Sequence, residues 1–239
     1  MRKTFHYISI MEFKVSTYID EVRSVLQAAA DDEIAHQQAA YMRNKFAFFG
    51  IKTTDRRALY KPFLVKDQRP PQDLLAAVVH ELWAQPEREL HYFALELVEK
   101  FAPSFRDSDL ALLEFLAKEN QWWDSIDVIA TKLLGAYFKK YPEARHPAVE
   151  RWHAEDDFWL WRCAILFQLK YRSKTDVTLL ASTILPFRQK KEFFIQKAIG
   201  WALREYRHTN ATWVNAFVAE HDLMPLSRRE ALKHGPLPE

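Results

Sequence analysis

The stretch Asn120–Asp127, N-Q-W-W-D-S-I-D, sets two carboxylates directly behind two adjacent tryptophans. Asp124 and Asp127 are three residues apart, so on a helix they occupy neighbouring positions of one face. Adjacent helical side chains diverge by about 100°, which allows at most one of Trp122 and Trp123 to lie fully in a core. The pattern places acid chemistry beside a large aromatic surface. A tryptophan face attracts positive charge, and a carboxylate opposes it, so the pair suits a reaction that develops a cation. The plainer reading is that both tryptophans pad a helix interface, as aromatics commonly do.

Two further segments carry the same mixture of aromatic and basic residues. From Asp157 the chain reads D-F-W-L-W-R-C-A-I-L-F-Q-L-K-Y-R, and from Lys191 it reads K-E-F-F-I-Q-K-A-I-G-W-A-L-R-E-Y-R. Trp123, Arg162 and Trp201 are spaced 39 and 39 residues apart. Together with the Trp123/Asp127 pair, these segments resemble the DNA alkylation repair family of HEAT-like DNA glycosylases, the AlkD type. The resemblance runs from about Tyr41, in Y-M-R-N-K-F-A-F-F-G-I-K-T-T-D-R-R, to His234. It implies a monofunctional glycosylase that hydrolyses the N-glycosidic bond of cationic N3- and N7-alkylpurines in duplex DNA, without a cofactor.

Cleaving that bond builds oxocarbenium-like charge on the sugar, which a nearby carboxylate stabilises while orienting or deprotonating a water. Asp127 occupies the aspartate position of the family motif and is the expected catalytic carboxylate. Asp124 is read as a local cap. A cationic purine is already a good leaving group, so a second, acidic carboxyl is dispensable. The resemblance implies that Trp123 and Trp201 wall the damaged nucleotide and that Arg162 holds a phosphate. Lys170, Lys197 and Arg204 are expected to contact phosphates, and Tyr41 and Lys52 fall in the N-terminal motif that resembles the family's DNA-facing edge. The rival reading is a HEAT-like scaffold that binds DNA or protein and has no turnover.

Composition narrows the alternatives. With 239 residues and four glycines, Gly-rich phosphate loops and multi-strand turn chemistry are disfavoured. The single cysteine, Cys163, excludes an intrachain disulfide and a Cys-based zinc finger, and it lies in an apolar helical run as an inert thiol would. No H-E-x-x-H or other metal spacing occurs among nine histidines, so no metal site is expected. The longest apolar runs are too short to span a membrane. A cytoplasmic monomer is expected, with residues 1–16 as an N-terminal extension and 17–239 as one repeat domain. Net charge is only +2, yet Phe158–His208 carries ten Lys and Arg against three acids. Interleaved with aromatics, that excess suggests a polyanion surface.

These residues must be positioned by helices. An apolar 3.6 period through Tyr18, Val22, Val25 and Leu26 marks a helix over Thr17–Ala30. Asp31 and Asp32 offer an N-cap for a second helix to about Phe48, with Gly50 as its C-cap and Thr53 or Thr54 capping the next. Pro70 and Pro71 precede a helix over Leu74–Trp83. Beyond Pro86 a longer period appears: Leu90, Ile126, Leu160 and Ile195 recur at 36, 34 and 35 residues, and Ala94, Ala130, Ala164 and Ile199 repeat the spacing. Shorter amphipathic helices over Leu110–Lys118, Ala144–His153 and Val177–Ile184 alternate with them, and Thr212–Glu220 and Ser227–His234 close the array. The expected fold is an all-α, HEAT-like repeat solenoid, a crescent whose equivalent helices line one concave, DNA-binding face. No segment has the period-2 pattern of a strand.

Overall fold

The computed structural model describes residues 13–233. Among them the chain is helical throughout, and the one extended pairing is an isolated bridge between Ala47 and Glu87. The α-helices are α1 Val15–Gln27, α2 Asp32–Tyr41, α3 Thr53–Tyr60, α4 Leu75–Trp83, α5 Arg88–Phe101, α6 Leu110–Lys118, α7 Trp123–Val128, α8 Gly135–Lys140, α9 Arg145–Ala154, α10 Phe158–Leu166, α11 Val177–Ile184, α12 Phe193–Arg207, α13 Ala211–Glu220 and α14 Pro225–Ala231. A π-helical turn, Ile129–Leu134, joins α7 to α8. This many-helix, strand-free architecture is that of an α-solenoid. The chain divides into two compact units, residues 1–97 and 98–239. No described helix is long and apolar enough to cross a membrane.

The long-period positions are core positions. Ile126, Leu160 and Ile195 are fully buried, as are Ala130 and Ile199, with Ala164 1% exposed. Side chains recurring every ~35 residues therefore face the same interior, the condition for stacked helical repeats. In the second unit α7 packs on α10, α10 on α12, and α12 on α14. Trp152, Phe138 and Phe167 fill the space behind α10, with Phe138 4.9 Å from Phe167 and 5.9 Å from Trp152, centroid to centroid. In the first unit Leu90 and Ala94 are likewise fully buried.

Several helix ends depart from the sequence expectation, beginning with the first helix, which runs Val15–Gln27 rather than Thr17–Ala30. The second helix begins where expected, with the Asp31 carboxylate accepting from the Ile34 N–H at 3.0 Å, but it ends at Tyr41 rather than Phe48. Arg43 and Asn44 then turn left-handed, at φ 56° and 54°. Gly50 is accordingly no C-cap. It sits at φ +88° in a loop whose N–H groups at Phe49, Gly50 and Ile51 all donate to the buried Glu89 carboxylate, at 3.0–3.3 Å. A Cβ there would meet the Asp31 carbonyl at 2.0 Å, so only glycine fits. The helix after it starts at Thr53 behind Lys52, without a side-chain cap from either threonine. The last helix, α14, starts two residues earlier than expected. His234 and most of the N-terminal extension lie outside the described residues.

Candidate active site

The loop ahead of α7 fixes the site's first helix. Asn120 takes φ 50°, a left-handed conformation that asparagine tolerates. Gln121 then ties the loop to the next repeat, its side-chain amide donating to the Ala117 carbonyl at 3.0 Å and to Asp157 at 2.5 Å. Asp157 in turn caps α10 by accepting from the Trp159 N–H at 2.8 Å. One short polar relay thus sets the starts of α7 and α10 together.

The two tryptophans separate because the helix starts between them: Trp122 is the extended residue ahead of α7, at φ −159° and ψ 158°. Trp122 is buried and packs edge-on against Trp159 and Phe194, at 5.8 and 5.5 Å. Trp123, the first residue of α7, is half-buried. Asp124 stands in the first turn of α7, where a carboxylate is favoured by the helix dipole.

Asp127, one turn after Trp123, meets Arg162 of α10 in a fork: Nε donates to Oδ1 at 2.7 Å and Nη2 to Oδ2 at 3.0 Å. The remaining arm of the guanidinium, Nη1, donates to the Phe194 carbonyl at the start of α12, at 2.5 Å. Three successive inner helices are therefore joined at one point. The Arg162 side chain is 5% exposed, and its fork is engaged by Asp127. Asp127 keeps 21% of its side chain exposed, so Arg162 grips the carboxylate without sealing it from solvent. Burial raises its pKa above the usual carboxylate value, the Arg162 hydrogen bonds and charge oppose that rise, and Asp124 adds a smaller upward push. Thr131 donates its hydroxyl to the Asp127 carbonyl at 2.7 Å, at the entry to the π-helical turn. Turns of that kind recur beside functional sites.

Trp201 lies on α12, half-buried, and makes no hydrogen bond or ring contact among the described residues. Lys170 pairs with Glu205 at 2.9 Å, both partly exposed. Lys197 and Arg204 converge on Glu230 of α14, at 3.1 and 2.8 Å, and Arg204 also donates to the Glu230 carbonyl at 2.9 Å. These cations hold Glu230 at a pKa of about 2. Tyr41 and Lys52 belong to the first unit and are exposed, Tyr41 at 71%. Tyr41 lines a cleft of about 300 Å³ together with Gln38, Arg56 and Tyr92.

Sequence reasoning missed two groups. The Phe194 carbonyl is a backbone atom and leaves no residue-type signal. Glu230 sits in a helix that the residue types alone did not connect to the site. The basic stretch Phe158–His208 is also not one face: Arg162 and Arg207 are buried, while Lys170, Lys197 and Arg204 are each paired with an acid.

A family model described as DNA alkylation repair enzyme matches residues 22–234. The chain belongs to the DNA alkylation repair family. A solved structure titled as a predicted DNA alkylation repair enzyme from Enterococcus faecalis is 32% identical, with a TM-score of 0.79 over 86% of this chain and 96% of that one. Among curated proteins none matches the chain. Membership in the DNA alkylation repair family supports an enzymatic role in repair, with DNA as the partner. Among the described residues no group of His, Cys, Asp and Glu is placed to hold a metal.

Proposed function

We propose that the protein is a DNA glycosylase that hydrolyses the N-glycosidic bond of alkylated, cationic N3- and N7-purines in duplex DNA. The observation that carries this reading is the Asp127 carboxylate, fixed by a bidentate arginine, one-fifth exposed and one helical turn after Trp123. A carboxylate so held needs no reorganisation as charge develops, which is the condition for electrostatic stabilisation of a transition state. As the base departs, the sugar gains oxocarbenium character. Asp127 opposes that charge and accepts the proton of the water that adds to the anomeric carbon, while the cationic purine takes the glycosidic electron pair and leaves neutral. Trp123 and Trp201 supply half-buried aromatic faces that attract the cationic adduct before cleavage and the cationic sugar during it. Arg162 acts through Asp127, keeping it oriented and ionised against the cost of burial.

The test is single-turnover release of N7-methylguanine from methylated duplex by wild type and Asp127→Asn, with duplex affinity measured in parallel. The substitution keeps shape and removes the charge, so release is expected to slow on the order of 10²–10³-fold. Affinity for undamaged DNA should hold or improve slightly, because a negative charge leaves a phosphate-facing surface. Release at the wild-type rate would mean that the Asp127–Arg162 pair is only a structural ion pair, as in a DNA-binding scaffold. Trp123→Ala should weaken lesion discrimination and turnover together.

A further inference from the structure

Away from Asp127, the second unit carries a cleft of about 450 Å³ whose lining includes Lys139, Arg145, Lys170, Tyr171, Arg172 and Lys174. It is built where α8 ends, α9 begins and the turn after α10 comes back beside them. Tyr171 is its floor: the ring is buried, and the hydroxyl is fixed by donating to the Gly135 carbonyl at 2.7 Å. Two cations share that ring, Lys139 with Nζ 4.8 Å from the centroid and Arg145 with its guanidinium at 5.4 Å. Arg145 is further held by donating from Nε to the Phe138 carbonyl at 2.9 Å. On the other wall Arg172 occupies a left-handed conformation, φ 53°, that a long side chain seldom adopts. The N–H groups of Lys174 and Thr175 close the turn onto the Tyr171 and Arg172 carbonyls, each at 3.0 Å, and leave the Arg172 and Lys174 side chains exposed.

The charge balance of this cleft differs from that of the neighbouring cations. Lys197 and Arg204 share the Glu230 carboxylate, and Lys170 pairs with Glu205. Lys139, Arg145, Arg172 and Lys174 make no ion pair among the described residues, and no carboxylate lines the cleft. Like charges gathered on a rigid floor repel one another, and a concave wall concentrates their field into the space between. The natural occupant is anionic. Its dimensions and its flexible, spread cations suit successive phosphates of a backbone better than one small anion, which calls for a tight nest of fixed donors.

We propose that this cleft binds backbone phosphates of duplex DNA flanking the lesion, an anchoring site separate from the Asp127 carboxylate. The inference rests on DNA being the partner in the function proposed for Asp127. Lys170 lies four residues beyond the end of the helix that carries Arg162, so phosphates held here belong to neighbouring nucleotides rather than to the damaged one.

The full chain carrying Lys139→Gln, Arg172→Asn and Lys174→Gln tests it, with asparagine chosen because it tolerates the left-handed φ. Duplex affinity is measured across a chloride series, and single-turnover release at saturating protein is measured beside it. The log–log salt slope should become shallower by about 0.9 for each phosphate that is no longer neutralised, so by roughly 2–3, while the saturated release rate stays within about twofold of wild type. An unchanged slope overturns the proposal. If the triple variant melts differently from wild type, Lys174→Gln alone carries the test, with an expected change of about 0.9. Inorganic phosphate at matched ionic strength is the second arm: displacement of DNA from wild type at low millimolar phosphate would make this a small-anion site and overturn the backbone assignment. Wild type that binds with the expected slope but releases no base would remove the glycosylase reading and leave the cleft standing.

Discussion

At the scale of the residue, the Asp127–Arg162 fork decides how the site should respond to pH and to substitution. Burial lifts the Asp127 pKa above the ordinary aspartate value of 3.8, so as pH falls the carboxylate is protonated earlier than a solvated one. Release depends on the ionised form. The acid limb of the single-turnover rate, corrected for spontaneous depurination, is therefore expected above pH 3.8. Arg162→Met removes the hydrogen bonds and charge that restrain the rise, so the limb should move to higher pH. A limb that stays in place would separate the arginine from catalysis. The same variant strands a largely buried carboxylate, a change that costs roughly 3 kcal/mol or more when the pair is dry. With Asp127 one-fifth exposed, the low end is expected, read from denaturant unfolding near neutral pH.

At the scale of the element, α14 acts through one close approach. A Cβ on Gly200 of α12 would lie 2.4 Å from the Glu230 Cβ and 3.0 Å from the Ser227 carbonyl. Neither is the end of a flexible chain, so Gly200→Ala must push α14 away, and overpacking of that sort costs about 1–3 kcal/mol. A lowered melting temperature is the expected result; an unchanged one would show that α14 docks loosely. Glu230 adds a titratable part. Its folded pKa of about 2 lies below the ordinary glutamate value of 4.5, so its contribution to stability is complete above pH 4.5 and disappears as pH falls toward 2. Glu230→Gln should flatten stability against pH in that window. It should also release Lys197 and Arg204, tightening duplex binding and steepening its salt dependence. Binding that is unaffected would mean the two cations face away from the DNA.

At the scale of the whole molecule, helices supply every described element, so far-UV circular dichroism should be dominated by the helical signal, and substantial β content would contradict the architecture. Chemistry that rests on one carboxylate and two aromatic walls needs no ion. Release of alkylated base should accordingly be unchanged by EDTA, and a rate that falls with chelation and returns with a divalent cation would replace the mechanism proposed for Asp127.

Sequence determined the helices and their repeat, because periodic burial is a property of residue order: Ile126, Leu160 and Ile195 had to face one interior for stacked repeats to share a core. It also required Trp122 and Trp123 to part, although they do so because Trp122 is extended and the helix starts at Trp123, and it singled out Asp127, Arg162 and Trp201 through their motif. Helix ends were less legible. The turn at Arg43 and Asn44 adopts a left-handed backbone without glycine, and Gly50 answers to Glu89, a residue 39 positions away. Only the tertiary structure decided which partners the charged groups take. Arg162 forks onto Asp127, Lys197 and Arg204 meet Glu230, and the cations around Tyr171 come together without an acid in the cleft lining. An ion pair forms wherever folding brings opposite charges within reach, and residues 26 or more positions apart, or a backbone carbonyl such as that of Phe194, leave no local pattern from which the pairing follows.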